Sequence, residues 1–317
     1  MEELNLNSRR SFLKKTIMGS AGVFALNAIP NEAFAKTDLV KLTILHTNDV
    51  HSHIEPFPDN DPKYAGLGGV VRRAALIKKI RAEEKNVLLL DAGDIFQGTP
   101  YFNLYGGELE FKLMSMMGYD ASTIGNHDFD NGIDGLVSQL PHANFPFINC
   151  NYDFSDTAMN GKTIPHKIFI KEGIKIGVFG VGIELEGLVD KKMYGNTIYQ
   201  NPIEKAAKAA YYLRIEEKCD LVICLSHLGY TSRGGKINDV ELAKQSKNID
   251  LIIGAHTHTF LDTPLEYENS DKKKVLVAQV GWAGIKLGRI DYVFEKKGRK
   301  KASEGYTIKI SKKSIAI

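Results

Sequence analysis

The chain of 317 residues is 43% hydrophobic and 25% charged, a composition that excludes long disorder, collagen-like repeats and coiled coil. Its 41 basic and 38 acidic residues nearly cancel, so bulk charge offers no grip on a nucleic acid polymer or an anionic membrane. Three cysteines, Cys150, Cys219 and Cys224, are too few and too scattered for a disulfide framework. Cys219 and Cys224 stand at an odd offset along one strand-like run, which puts their side chains on opposite faces, so all three read as buried free thiols.

Residues 1–35 read as an address. Ser8 to Lys15 form a basic start, Thr16 to Ile29 a short apolar stretch, and Ala33-Phe34-Ala35 a small-residue cleavage site. The adjacent Arg9 and Arg10, with Phe12-Leu13 behind them, resemble a twin-arginine export signal. The apolar stretch is too short for a permanent anchor, and no cysteine between Met18 and Lys36 could carry a lipid. The expectation is a mature chain that begins near Lys36, free of the membrane, in the periplasm or outside the cell. Residues 36–317 show no repeat or linker and read as one catalytic domain.

Along that domain one pattern recurs: a β-rich apolar run stops abruptly in polar residues. Leu42–Leu45 runs into Thr47-Asn48-Asp49-Val50-His51, Val87–Leu90 into Asp91-Ala92-Gly93-Asp94, and Ala121–Ile124 into Gly125-Asn126-His127-Asp128. Further on, Leu221–Leu225 runs into Ser226-His227, and Leu251–Ile253 into Gly254-Ala255-His256-Thr257-His258. Short continuous apolar runs are strands buried on both faces. Helical patterns at Gly69–Glu84, Glu108–Met117 and Pro202–Lys218 lie between them, with Asn201 as cap and Pro202 as first-turn proline. Arg72 and Arg73 read as the polar face of the first helix. Alternating strands and helices imply an α/β fold with parallel pairing, in which sites form outside the carboxyl ends of strands. Lys274–Val280, Gly284–Phe294 and Tyr306–Ile310 read as successive antiparallel strands that finish the domain. Their basic turns read as solvated edges.

The strand ends deliver Asp49, His51, Asp94, Asn126, His127, Asp128, His227, His256 and His258. Imidazole with carboxylate is a ligand set for a first-row transition metal. The pairs Asp49/His51 and His256/His258 stand at i, i+2, and on extended backbone each pair would project to one side. Each residue alone has a structural explanation, Asp49 as a helix cap, Gly125-Asn126 as a turn dipeptide, His227 as a core histidine. Five strand ends with the same chemistry are better explained by one site. Seven N/O ligands exceed what one ion with open positions needs, so two divalent ions are expected, with Asp94 as the bridging carboxylate.

In this order the motifs resemble those of the calcineurin-like dinuclear metallophosphoesterase superfamily, and within it the 5′-nucleotidase branch. The segments that carry the resemblance are Thr47–Ser52, Gly93–Pro100, Gly125–Asp130 (with Asp128 where the branch has Glu), Leu225–Gly229, and Gln279–Trp282 with Gly284 and Gly288. The resemblance implies a four-layer α/β/β/α sandwich of two mixed β-sheets flanked by helices. It implies one ion held by Asp49, His51, Asp94 and His258 and a second by Asp94, Asn126, His227 and His256, the metal being zinc, manganese, iron or cobalt. It also implies catalysis by attack of a metal-activated hydroxide on phosphorus, with His127 assisting the leaving oxygen and Asp130 as its carboxylate partner, Asp128 being the competitor.

The expected reaction is hydrolysis of phosphate monoesters, nucleoside 5′-phosphates first. The alternatives are a cyclic-nucleotide phosphodiesterase, a nucleotide-sugar diphosphate hydrolase, a hydrolase of sulfur esters, or a metal-retaining binding subunit. Members of the branch carry a second domain that supplies aromatic residues for the base, and the sequence shows no counterpart. The substrate pocket is therefore expected either to be open or to be completed by a separately encoded nucleotide-binding domain.

Overall fold

The computed structural model describes residues 38–232, 235–296, 298 and 300–315, so the export-type segment 1–35 lies outside the described residues. The first half contains β1 (Leu39–Thr47), α1 (Val70–Glu83), β2 (Val87–Asp91), α2 (Pro100–Tyr105), α3 (Glu108–Met117), β3 (Ala121–Ser122), α4 (Gly132–Gln139) and β4 (Tyr152–Asp153). The second half contains β5 (His166–Lys171), β6 (Ile174–Gly182), α5 (Lys191–Tyr194), β7 (Ile198–Tyr199), α6 (Pro202–Tyr211), β8 (Leu221–His227), α7 (Asp239–Gln245), β9 (Leu251–Gly254), β10 (Leu265–Glu268), β11 (Lys274–Ala278), β12 (Lys286–Glu295) and β13 (Lys300–Lys309).

The apolar runs are strands buried on both faces, because alternate residues of each run serve different layers. Leu88 and Leu90 of β2 point into the seam between two sheets, where they join Ile223 and Leu225 of β8 and Leu251 and Ile253 of β9. Val87 and Leu89 point outward and pack with Leu76, Ile77 and Ile80 of α1 and Phe111 of α3. On the far side, Val222 and Cys224 pack with Ala206 and Ala210 of α6 and Leu242 of α7. The sheets are a five-stranded one ordered β13-β12-β1-β2-β3 and a six-stranded one ordered β10-β11-β9-β8-β6-β5. Both are mixed: β1, β2 and β3 run parallel while β12 and β13 are antiparallel, and β6, β8, β9 and β11 run parallel between antiparallel edges β5 and β10. With helices on both outer faces, this is the expected α/β/β/α arrangement.

Asn201 caps α6 as expected, accepting from the amides of Ile203 at 2.9 Å and Glu204 at 3.3 Å. The helix is shorter than the periodicity suggests, for it passes into a wider π-helical turn at Tyr212–Glu216. Two expectations need correction. Arg73 is not on a polar face; it is only 3% exposed, turned under α1. The strands of the last third do not form one antiparallel section: β11 pairs parallel with β9 in the six-stranded sheet, and the chain then crosses to the five-stranded sheet as β12. His166 opens β5, which forms an antiparallel hairpin with β6. Among the described residues, no helix is long and apolar enough to cross a membrane.

Candidate metal centre

The carboxyl ends of the parallel strands from both sheets meet at one place. The turn after β1 and the turn after β2 are laced together: the amides of Asp49, His51 and Ser52 donate to the carbonyls of Gly93 at 2.9 Å, Asp94 at 3.0 Å and Ile95 at 2.8 Å. Asp128 secures the second turn from below. Its Oδ1 accepts from Ile95 N at 2.9 Å and Phe96 N at 3.2 Å, and its Oδ2 from Asp94 N at 3.1 Å and Gly125 N at 2.8 Å. The third turn and the six-stranded sheet are tied in by His127 N to Asp94 Oδ1 at 2.8 Å and His256 N to Asp49 Oδ1 at 2.9 Å.

Both i, i+2 pairs converge, but not on extended backbone. Asp49, His51, His256 and His258 have φ of 48°, 49°, 67° and 52°, and Asp94 has 57°. All five are left-handed, a region that costs a non-glycine residue roughly 1–2 kcal/mol. The ligand-bearing side chains therefore converge because tight turns aim them, and the hydrogen bonds above hold those turns.

Two groups result, Asp49–His51–His258 and Asp94–His227–His256, each with its candidate ligand atoms within 4.8 Å of one another. Asn126 joins the second, its Oδ1 lying 2.8 Å from His256 Nδ1. Asp94 Oδ2 stands between them, 3.1 Å from His227 Nε2 and 3.7 Å from His51 Nε2, the position a bridging carboxylate requires. The seven side chains expected as ligands are thus brought together.

The donor set fits divalent ions. His51 donates Nδ1–H to Phe96 O at 3.1 Å, and His227 donates Nδ1–H to Ala92 O at 2.8 Å, which turns both Nε2 atoms inward. His227 Nε2 is buried without a hydrogen bond of acceptable geometry. His51 Nε2 meets His258 Nε2 at 3.0 Å, an opposition of ring nitrogens that a cation relieves. Asp49, Asp94 and Asp128 are all buried, and burying carboxylates demands compensating positive charge. Burial pushes the Asp49 carboxyl well above its ordinary range, against the pull of His227. Burial works against a proton on His227, yet the Asp94 and Asp49 carboxylates outweigh it and raise its pKa. Burial, followed by neighbouring His227, lowers His256 to about 4; burial and neighbouring His51 lower His258 to about 4. These imidazoles are neutral and able to ligate at neutral pH.

His127 stands at the lip, its ring 5.3 Å from that of His51. Its Nδ1 lies 2.8 Å from Asp130 Oδ2, and this hydrogen bond, opposed by partial burial, raises its pKa. Asp128, the competitor for that pairing, is engaged by four backbone amides instead. Several residues to which the sequence assigned no role shape the centre. Asn48 donates to Gly281 O and to Asp49 Oδ2, each at 2.6 Å, and accepts from Val280 N at 2.9 Å. Gln279 donates to Ala255 O at 2.6 Å and accepts from the Thr259 amide. Glu110 accepts from the Ser52 hydroxyl; an acidic residue among the buried Phe111, Met114 and Met117 of α3 was the available signal. His53 stacks on Phe57 and meets Trp282 edge-on.

The fold and this centre define a metal-dependent phosphoesterase. The calcineurin-like phosphoesterase family model matches residues 42–260, and the chain belongs to that family. Within it, the chain is similar to 5′-nucleotidases. It is 34% identical over 293 residues to the snake venom 5′-nucleotidase of Gloydius brevicauda, covering 86% of this chain and 48% of that protein. The crystal structure of a 5′-nucleotidase precursor from Thermus thermophilus matches with a TM-score of 0.79 at 32% identity, over 87% of this chain and 55% of that one. The NAD nucleotidase of Haemophilus influenzae matches with a TM-score of 0.74 at 26% identity, over 86% of this chain and 51% of that one. The chain spans about half the length of the curated relatives it matches.

Proposed function

We propose that this chain is an exported dinuclear metallophosphatase that hydrolyses phosphate monoesters, nucleoside 5′-phosphates first among them. The observation that carries the reading is the pairing of two Asp/His groups across Asp94 with the His127–Asp130 dyad at their lip. The names of its relatives support nucleotides as the substrate class. Residues 36–317 are the catalytic domain in this reading. The basic start, apolar stretch and Ala33-Phe34-Ala35 site support export to the periplasm or beyond.

Asp49, His51, Asp94 and His258 would hold one ion, and Asp94, Asn126, His227 and His256 the other. The ions, when bound, polarise the phosphoryl oxygens and lower the pKa of water. The chain's own residues do the rest. The Phe96 and Ala92 carbonyls fix the His51 and His227 tautomers. Asp128 fixes the Asp94 turn. Asp130 accepts Nδ1–H of His127, so the protonated imidazole presents Nε2–H to the departing oxygen and gives up that proton as the P–O bond breaks. A raised pKa at His127 keeps this proton available near neutral pH.

The test is hydrolysis of AMP, 2′,3′-cyclic AMP, NAD and nitrophenyl phosphate by the Mn2+-supplemented protein from Lys36 onward, beside His127→Ala. Release of phosphate from AMP that falls about 10²–10⁴-fold in the variant is expected. No turnover of any ester would refute the enzyme reading in favour of a binding subunit. A second reading, cleavage of a nucleotide diphosphate linkage, is favoured by the similarity to NAD nucleotidase, and preferential turnover of NAD would establish it.

A further inference from the structure

Two of the four histidines in the two metal groups have a ring nitrogen held by a backbone carbonyl: His51 donates to Phe96 O and His227 donates to Ala92 O. His256 turns its Nδ1 toward Asn126 Oδ1, another candidate ligand of the same group. His258 differs. Its Nε2 faces His51 Nε2 at 3.0 Å and Asp49 Oδ1 at 3.7 Å, and among the described residues nothing hydrogen-bonds its Nδ1. Its side chain is also 39% exposed, against 5% or less for His51 and His227. A ligand with a free second nitrogen and a solvent-facing edge can rotate about its χ2 torsion, which weakens any cation it helps to hold.

What stands in for the missing hydrogen bond is a stacked ring. Trp282, the sole tryptophan, lies parallel to the His258 imidazole, 5° between planes and 5.6 Å between centroids. The indole is wedged by other rings: His53 at 5.2 Å, Phe57 at 5.9 Å and Tyr64 at 6.1 Å, all nearly perpendicular to it. Its backbone is equally constrained. Gly281 N donates to Thr259 O at 2.9 Å and Ala283 N to Asp49 O at 2.8 Å, while Asn48 grips Val280 N and Gly281 O. Ala283 is held at a φ of 55°, and a Cβ on Gly281 would sit 2.1 Å from the Phe260 ring. The crossover loop between the sheets is thus tied both to Asp49 and to the residue after His258.

We propose that Trp282 is the positioning residue for His258, its indole face setting the imidazole plane and thereby the affinity of the Asp49–His51–His258 group for its cation. This rests on the dinuclear reading above. The experiment is a Co2+ titration of the metal-free protein against a competing chelator, with wild type, Trp282→Leu, Trp282→Met and Trp282→Phe. Wild type is expected to bind two ions. Leu and Met keep apolar bulk without a flat face, and each should weaken one ion about 10-fold while the other binds as before. Phe keeps a flat face and should restore most of the loss. Unchanged affinities in Leu and Met would overturn the proposal, as would equal weakening of both ions or a Phe variant as weak as Leu. Failure of the wild type to bind two ions would instead refute the dinuclear reading itself, which separates the two failures.

Discussion

Replacing Asp128 with asparagine distinguishes a residue that builds the centre from one that works in it. The carboxylate is fully buried and accepts four backbone amides, two on each oxygen, at 2.8–3.2 Å. Asparagine keeps one acceptor oxygen and turns an NH2 group toward two amide donors, so two hydrogen bonds are lost and two buried N–H groups are left without partners. Each orphaned donor costs about 1–3 kcal/mol. A loss of roughly 3 kcal/mol follows once the desolvation of the carboxylate is offset, a fall of about 6–12 °C in melting temperature for a domain of this size. Asp130→Asn should behave in the opposite way. Its side chain is 28% exposed and serves His127, so the melting temperature should move by no more than about 1–2 °C, as for a surface change. Its kcat should fall by about 10–100-fold as a neutral amide oxygen replaces the carboxylate that supports the proton on His127. Thermal unfolding by circular dichroism and steady-state kinetics on AMP read both variants. An Asp128→Asn protein that melts like wild type but has lost kcat, beside a fully active Asp130→Asn, would show that Asp128 is the partner of His127 and refute this division of labour.

Other outcomes follow from the same structure. His46 is fully buried in β1, and burial lowers its pKa from 6.5 to about 3. The unfolded chain takes up a proton below pH 6.5 that the folded one refuses, so this stability is present above 6.5 and is lost as pH falls, by about 1.4 kcal/mol per pH unit. Urea midpoints measured from pH 7 to pH 4 should therefore fall less steeply in His46→Leu; identical slopes would show that His46 is not the residue responsible. Prolonged chelation should abolish phosphatase activity, with two equivalents of divalent ion restoring it, and full activity after verified metal removal would sink the metal mechanism. Fusing residues 1–35 to a folded reporter should export it, and replacing Arg9 and Arg10 with lysines should leave it inside; export unaffected by both changes would remove the twin-arginine reading.

Most of the centre was legible because its residues are ligand types standing where buried strands end, and a strand buried on both faces has a recognisable pattern. The strands β1, β2, β8 and β9 and the helices α1 and α3 were visible for that reason. Asn48, Gln279 and Trp282 stand within motifs that carry the family resemblance, but their roles were not legible, because an amide or an indole there carries no chemical flag. Their importance comes from what they touch across the fold. Which sheet a strand joins is also a long-range fact: β11 and β12 read alike locally, yet they lie in different sheets. The i, i+2 pairs were correctly expected to converge for a reason that does not hold, since period-2 geometry was assumed where the backbone is left-handed. Arg73 shows the same limit, as a cation at a helix start reads as solvent-facing until the element above it is known.

The two metal groups draw on both halves of the sandwich. Asp49, His51 and Asp94 follow strands of the five-stranded sheet, while His227 ends a strand of the six-stranded one and His256 and His258 follow another. His51 and His258 are 207 residues apart in sequence. A cation held by both is a cross-link between the sheets, closing a loop that spans most of the domain. Free cation then acts on folding by mass action, adding about 2.7 kcal/mol at a hundred times its dissociation constant. Cations bound there would rivet the two sheets together, so that release of metal and opening of the domain would be coupled events.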